Sequence, residues 1–237
     1  MRLARFLAMA GVASRRASEE LIINGKVIVN GQKCKDVATN VDPDVDVVTH
    51  KGHILRVKSK IYIALNKPAG YACTASDPYE TSTIFRLLPR KERLFSVGRL
   101  DKGSEGLLLV TNDGDFSNKL THPQYELEKK YKVHVLGEII PRAINDITNN
   151  GITFEDIFYQ VKNITIAKRT PTGGVLVFNL TEGKKREIRK ICKAINLKVN
   201  KLKRTQIGDL KLADLPSGTW RNLKESEVND LLKLSKK

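Results

Sequence analysis

The sequence predicts an α+β fold: a small helix-and-hairpin module, then a larger domain built on a mixed, mainly antiparallel sheet with flanking helices. Three observations carry that prediction. The first part joins helical apolar spacing to a hairpin turn, and apolar alternation of period two recurs from Ile61 onward. Beyond that point, strands and helices do not alternate as regularly as a doubly wound parallel sheet requires. With 237 residues, 41% of them hydrophobic, the chain can bury a sizeable core, and its length fits one large domain or two unequal ones. We place the two parts at 1–58 and 59–237.

In the first part, Leu3, Phe6, Leu7 and Ala10 recur at helical spacing and Gly11 stops the helix. The apolar stretch from Phe6 to Ala13 is short, contains Gly11 and runs directly into Arg15 and Arg16, so an amphipathic helix is expected rather than a secretory leader. Ser14 can cap a second helix, with Ala17, Leu21 and Ile22 as its apolar stripe and Gly25 at its end. Val27 and Val29 then alternate with polar residues up to the turn signal Asn30-Gly31. Residues 49–60 read as a connection. His50 and His53 within it lack a third ligand, so no metal site is expected.

In the larger part, Ile61, Ile63 and Leu65 alternate toward Asn66-Lys67-Pro68-Ala69-Gly70, and Leu107–Val110 is a wholly apolar run suited to a buried strand. Asn112-Asp113-Gly114 turns into a helix from about Asp115 to Thr121, stopped before Pro123. Tyr131, Val133 and Val135 alternate again, and Pro141 opens a helix that ends before Gly151. Strands follow around 157–166 and 174–180, and Ile188, Ile191, Cys192 and Ile195 mark an amphipathic helix.

Charge narrows the function classes. Lys and Arg number 42 against 26 Asp and Glu, a net +16 that attracts polyanions. The first 38 residues carry seven basic and three acidic side chains, among them Arg2, Arg5, Arg15, Arg16 and Lys26. Lys184–Arg204 holds ten basic residues and one acidic. Its apolar positions predict a folded helix with the cations, including Lys184, Lys185, Arg186 and Lys190, turned outward toward phosphates. A membrane-surface helix is the rival reading, and the segment lacks the bulky aromatic face that one carries. No apolar run approaches the ~20 residues of a membrane span, so an integral membrane protein is not expected. Cys34, Cys73 and Cys192 are scattered and odd in number, which fits neither a disulfide framework nor a zinc site and suggests a cytoplasmic setting.

The segment Gly98-Arg99-Leu100-Asp101-Lys102-Gly103-Ser104-Glu105-Gly106 sets an Asp in a Gly-flanked polar loop just before the Leu107–Val110 strand. Rigid strands with tight connections are where catalytic side chains are presented, although an isolated Asp there is more often a turn residue. This segment resembles the catalytic motif of the RsuA/RluB-type pseudouridine synthases. Asn66-Lys67-Pro68-Ala69-Gly70 is similar to that family's lysine–proline motif, Glu128–Val133 to its tyrosine motif and Glu182–Ile191 to its arginine motif. Leu215-Pro216-Ser217-Gly218-Thr219-Trp220-Arg221 resembles its closing segment. Ala10–Arg16 and Gly25–Gly31 resemble the alpha-L RNA-binding module of a small-subunit ribosomal protein. Two departures stand out: Ser104 where the family usually has Thr, and Glu187 where Gln is common.

The resemblance implies isomerisation of uridine to pseudouridine in ribosomal RNA without cofactor or metal. Large-subunit RNA is the first expectation and small-subunit RNA the second. Asp101 is implied as the catalytic carboxylate, paired with the Arg189 guanidinium in a closed site. Tyr131 is implied to stack on the uracil and Arg99 to fill the space it vacates. Lys67 and the Lys184–Arg204 surface are expected to bind the RNA. A monomer whose partner is ribosomal RNA or an assembly intermediate is expected. The competing readings are a non-catalytic RNA-binding protein and a glycosidase that releases uracil.

Overall fold

A computed structural model describes residues 1–74, 82–88 and 92–234. The chain forms two compact units. One is Met1–Ile61 with the described residues of Arg90–Leu94; the other comprises the described residues of Tyr62–Pro89 and Phe95–Lys237.

In the first unit, helices α1 (Leu3–Met9) and α2 (Arg15–Ile23) precede strands β1 (Val27–Val29), β2 (Gln32–Cys34), β3 (Val48–His50) and β4 (His53–Ile54). Leu3, Phe6, Leu7, Ile22, Val27 and Val48 share one small core. The Ser14 hydroxyl accepts the Ala17 N–H at 3.1 Å as the α2 cap, an arrangement worth about 1 kcal/mol. Asn30 and Gly31 both have positive φ (49° and 82°), the pair of left-handed residues that a tight two-residue hairpin needs. The strand order is β2-β1-β3-β4. The 49–60 stretch is therefore more than a connection, because its first half is a hairpin turning at Lys51 and Gly52, with His50 opposite His53. Polar residues had masked the two short strands. No group of three metal-ligating side chains occurs among the described residues.

The second unit follows β5 (Tyr62–Lys67), β6 (Phe95–Val97), β7 (Glu105–Thr111), α3 (Gly114–Thr121), β8 (Lys129–Leu136), α4 (Pro141–Asn150), β9 (Ile152–Phe154), β10 (Ile157–Tyr159), β11 (Asn163–Thr170), β12 (Gly173–Leu180), α5 (Glu187–Ala194), β13 (Lys198–Ile207), β14 (Leu210–Lys211), β15 (Trp220–Asn222) and α6 (Glu225–Leu234). The main sheet runs β11-β12-β8-β13-β7-β5-β15, with β14 on β13 and β6 on β7. Among the described strand pairs of this sheet only β13 with β7 is parallel, so the sheet is mixed and mainly antiparallel. Asp113 caps α3 by accepting from the Asp115 and Phe116 N–H groups. Leu107, Leu109, Phe116, Leu120, Ile207 and Leu231 belong to one core between the sheet and α3 and α6.

Two predicted elements come out differently. The strand expected at 157–166 is two strands, because β10 folds back on β9 through left-handed Glu155 and Asp156 before β11 begins. The Lys184–Arg204 run is not one helix: only Glu187–Ala194 is helical, and Lys198 onward is strand β13. Ten cations spread over this run hid a change of period from 3.6 to 2.

Gly106 fixes how β7 meets β13. It has φ +102°, and a Cβ there would lie 2.2 Å from the Arg204 carbonyl oxygen. Only glycine permits this approach, which aligns Arg204 with Gly106 directly after the 98–104 loop. Among the described residues, no helix is long and apolar enough to cross a membrane.

Candidate active site

The 98–104 loop between β6 and β7 forms one side of a cleft of about 900 Å³. Arg99, Asp101, Ser104, Tyr131, Glu187 and Arg189 all line it. β8 supplies Tyr131, whose side alternates inward with Val133 and Val135. The turn 183–186 and the start of α5 supply a further part of the lining.

The loop is held through its backbone. Lys67 at the end of β5 is fully buried, and its ammonium donates to the carbonyl oxygens of Ser104 (2.6 Å), Pro68 (3.0 Å), Asp101 (3.2 Å) and Lys102 (3.2 Å). Burial lowers its pKa from the ordinary lysine value, while the negative groups Asp101 and Glu105 oppose that shift. The Gly70 N–H donates to the Lys102 carbonyl at 2.8 Å. The Cys73 thiol donates to the Leu100 carbonyl at 3.3 Å, and the Leu100 N–H returns to its sulfur at 3.5 Å. Ser104 N–H closes the turn on the Asp101 carbonyl at 2.9 Å. These bonds leave the Asp101 side chain exposed at the tip of a fixed loop.

Two expectations are corrected here. Lys67 is no RNA contact: it is out of reach of solvent, and loop carbonyls occupy its three N–H groups. Asp101 is not buried against Arg189 either. No ion pair within 4 Å joins them among the described residues, and the Arg189 Nη2 donates to the Gly103 carbonyl at 3.3 Å. Arg189 thus steadies the backbone two residues beyond the carboxylate, on the same cleft.

The basic side chains are sorted by the fold. Lys184, Lys185 and Arg186 are exposed and line the cleft. Lys190 does not line it; its ammonium pairs with Glu155 at 2.9 Å, because the helical turn after Arg189 faces the β9–β10 hairpin. Arg204 is the clearest departure from an outward-facing cation. It is only 3% exposed, and its Nε donates to the Leu107 carbonyl at 2.7 Å. In the first unit, Arg2, Arg15, Arg16 and Lys26 are exposed and Arg5 is half-buried, with the Arg2 guanidinium also donating to the Ala38 carbonyl.

Glu187, the negative residue in the basic run, is 4% exposed. Its Oε2 accepts the Lys184 N–H at 3.0 Å, while Oε1 is buried with no hydrogen-bond partner among the described residues. Burial raises its pKa, opposed by the Lys184 N–H and ammonium. Its carboxylate therefore ties the 184–187 turn, and no ion pair to Arg189 forms among the described residues.

Sequence reasoning did not single out Cys73, Lys129 or Arg204 as part of this region. Cys73 carried no motif. Arg204 sat among other cations, and only its register opposite Tyr131 and Gly106 distinguishes it.

Comparison with known proteins places this geometry. Residues 61–194 match the family model of RNA pseudouridylate synthases, and residues 1–47 match the S4 domain. An uncharacterized RNA pseudouridine synthase of Aquifex aeolicus is 39% identical over 235 residues, covering 98% of this chain and 94% of that protein. Ribosomal large subunit pseudouridine synthase B of Vibrio vulnificus is 35% identical over 241 residues, covering 98% and 75%. A crystal structure of a pseudouridylate synthase superposes with a TM-score of 0.67 at 26% identity, covering 98% of this chain and 99% of the other. A cleft that gathers the aspartate, tyrosine and arginine motifs, within a match that runs nearly end to end, leads to one assignment: the chain belongs to the RsuA/RluB-type RNA pseudouridine synthase family and carries an N-terminal S4 domain.

Proposed function

We propose that the chain converts a specific uridine of ribosomal RNA to pseudouridine, with large-subunit RNA as the substrate in preference to small-subunit RNA. The observation that carries the site assignment is that Arg99, Asp101, Tyr131 and Arg189 line a single cleft. The large-subunit preference rests on likeness to the Vibrio vulnificus protein named for that activity. The reaction acts in the cytoplasm on an assembling ribosomal particle, a setting that suits three free cysteines and a net charge of +16.

In this reading the N1–C1′ bond of the target breaks, the uracil turns, and C5 bonds to C1′. The C5 proton leaves and N1 gains one, so RNA mass is unchanged. Asp101 is the carboxylate that acts on the nucleotide. Its exposed position on a loop fixed by Lys67 lets it meet a uridine swung out of its stack. Tyr131 stacks on the uracil while it is detached from ribose. Arg189 stands beside the loop at Gly103, where its planar fork can reach the carboxylate once RNA fills the cleft. Arg99 supports the vacated stack. Lys184, Lys185 and Arg186 hold the phosphate backbone, and the exposed cations of the first unit grip structured RNA.

Base-resolution pseudouridine mapping of ribosomal RNA with and without the protein is the test. One position is expected to lose its pseudouridine without the protein and regain it on addition; no change at any position would overturn the reading. Asp101→Asn should lower kcat by about 10³-fold or more while RNA affinity stays within about threefold. Release of free uracil in place of isomerised RNA would identify a glycosidase.

A further inference from the structure

Beside the cleft lies a second cavity of about 490 Å³, and Gly98, Arg99, Tyr131, Gly183 and Lys184 line both. The sides of the second cavity are largely apolar, formed by Val97, Leu109, Leu120, Leu127 and Ile207. Besides Arg99 and Lys184, two further cations are set into that lining. Arg204 spends its Nε on the Leu107 carbonyl, but its Nη2 is buried with no hydrogen-bond partner among the described residues. Lys129 donates to the carbonyls of Leu127 (2.9 Å) and Thr181 (3.2 Å), and no carboxylate forms an ion pair with it among the described residues. Burial, reinforced by the Arg204 charge and opposed by Glu187, brings its pKa down to about 8.

Glu182 also lines the cavity, but its carboxylate meets the Lys184 ammonium at 3.0 Å, so Arg204 and Lys129 are cations there that form no ion pair among the described residues. A buried guanidinium N–H without a partner is rare in native proteins and calls for a ligand atom or ordered water. A phosphate would lose its hydration against five aliphatic side chains, and an aliphatic guest would leave both cations unanswered. A flat ring bearing a carbonyl oxygen meets both conditions. His122 and Tyr131 add planar side chains to the lining, and the Tyr131 ring borders both spaces.

We propose that this cavity is a second nucleobase pocket. It receives the base next to the target uridine, with the ring against the apolar side chains and a carbonyl oxygen on Arg204 and Lys129. Uracil, cytosine and guanine meet that requirement and adenine does not. The proposal rests on the reading of the main cleft as the uridine site, since neighbouring nucleotides of one unstacked strand then occupy neighbouring cavities.

The test uses the full chain and a transcript containing the mapped target uridine. Three RNAs are compared: the intact transcript, one abasic at the nucleotide 5′ of the target, and one abasic at the nucleotide 3′ of it. Each is assayed with the wild-type protein and with Lys129→Met. One of the two abasic RNAs should lose about tenfold in kcat/KM, within the range expected for one stacked base. Lys129→Met should lower kcat/KM severalfold on intact RNA and cause no further loss on that abasic RNA. Equal rates on all three RNAs, or a Lys129→Met defect that persists undiminished on the abasic RNA, would overturn the pocket. Failure of the wild-type protein to convert the target in any RNA would instead overturn the uridine-isomerase reading. The RNA comparison needs no variant, so it decides the matter even if Lys129→Met folds poorly.

Discussion

The 98–104 loop and the 183–189 segment face one cleft but are held in different ways. The loop is fixed from behind: a fully buried ammonium, a backbone N–H and a thiol engage its carbonyls, leaving Asp101 exposed on a rigid support. The 183–189 segment is held by its own short turn, in which the Glu187 carboxylate accepts the Lys184 N–H and the Glu187 N–H donates to the Lys184 carbonyl. Lys184, Lys185 and Arg186 of this segment remain exposed, with Lys184 paired to Glu182 at 3.0 Å, while Arg189 is half-buried and reaches the Gly103 carbonyl. A group that must meet a reacting atom gains from a fixed backbone, because displacement of about 1 Å costs about 10²-fold in rate. A group that must find phosphates on a flexible strand gains from reach and long-range charge. The difference predicts that one side of the cleft governs turnover and the other affinity.

The largest expected effect tests the fixed side. Lys67→Met keeps the unbranched side chain to within one atom but removes the ammonium shared by Pro68, Asp101, Lys102 and Ser104. Turnover should fall about 10²-fold with RNA affinity within about threefold, and loss of the ammonium from these carbonyls, two of which keep a backbone donor, should cost about 2 kcal/mol in chemical unfolding. Unchanged kcat would show that the loop holds its geometry without Lys67. The opposite side is tested by Lys184→Gln, Lys185→Gln and Arg186→Asn together, with Asn chosen because Arg186 has φ +56° and Asn tolerates that conformation. Here kcat at saturating RNA should hold while affinity drops. The slope of log K against log salt should become shallower by about 2, as three lost phosphate contacts on a single strand require. A kcat loss as large as that of Lys67→Met would erase the distinction between the two sides.

The sequence made much of this legible where a local rule operates. Ser14 and Asp113 cap helices because their side chains reach the next free N–H groups, and Asn30-Gly31 turns because both residues accept positive φ. Asp101, Tyr131 and Arg189 were recognisable through motif order, and the fold gathers them at one cleft. Long-range pairing was not legible. Lys67 looked like an RNA contact because nothing local reports that β5 is flanked by strands on both sides and that the residue ends it facing four carbonyls. Lys190 and Arg204 belonged to the same run of cations, yet one meets Glu155 on another hairpin and the other is covered by the parallel β7–β13 pairing. The expected Asp101–Arg189 pair also depended on side-chain reach across the cleft, which order along the chain does not encode.

The smallest expected effect concerns Lys129, which resembles Lys67 as a buried lysine donating to carbonyls but differs in lining an open cavity. Its folded pKa of about 8 lies below the ordinary lysine value of 10.5. Between those values the unfolded chain binds more protons than the folded one, so this residue's destabilising contribution, greatest below pH 8, fades as pH rises toward 10.5. Lys129→Met removes that contribution, although it also forgoes the bonds to Leu127 and Thr181. At pH 7 the variant should be more stable than the wild type by about 1 kcal/mol in chemical unfolding, and the gap should close by about pH 10. A variant less stable than the wild type at pH 7 would mean that Lys129, like Lys67, is needed for what it holds in place rather than for what it offers to the cavity.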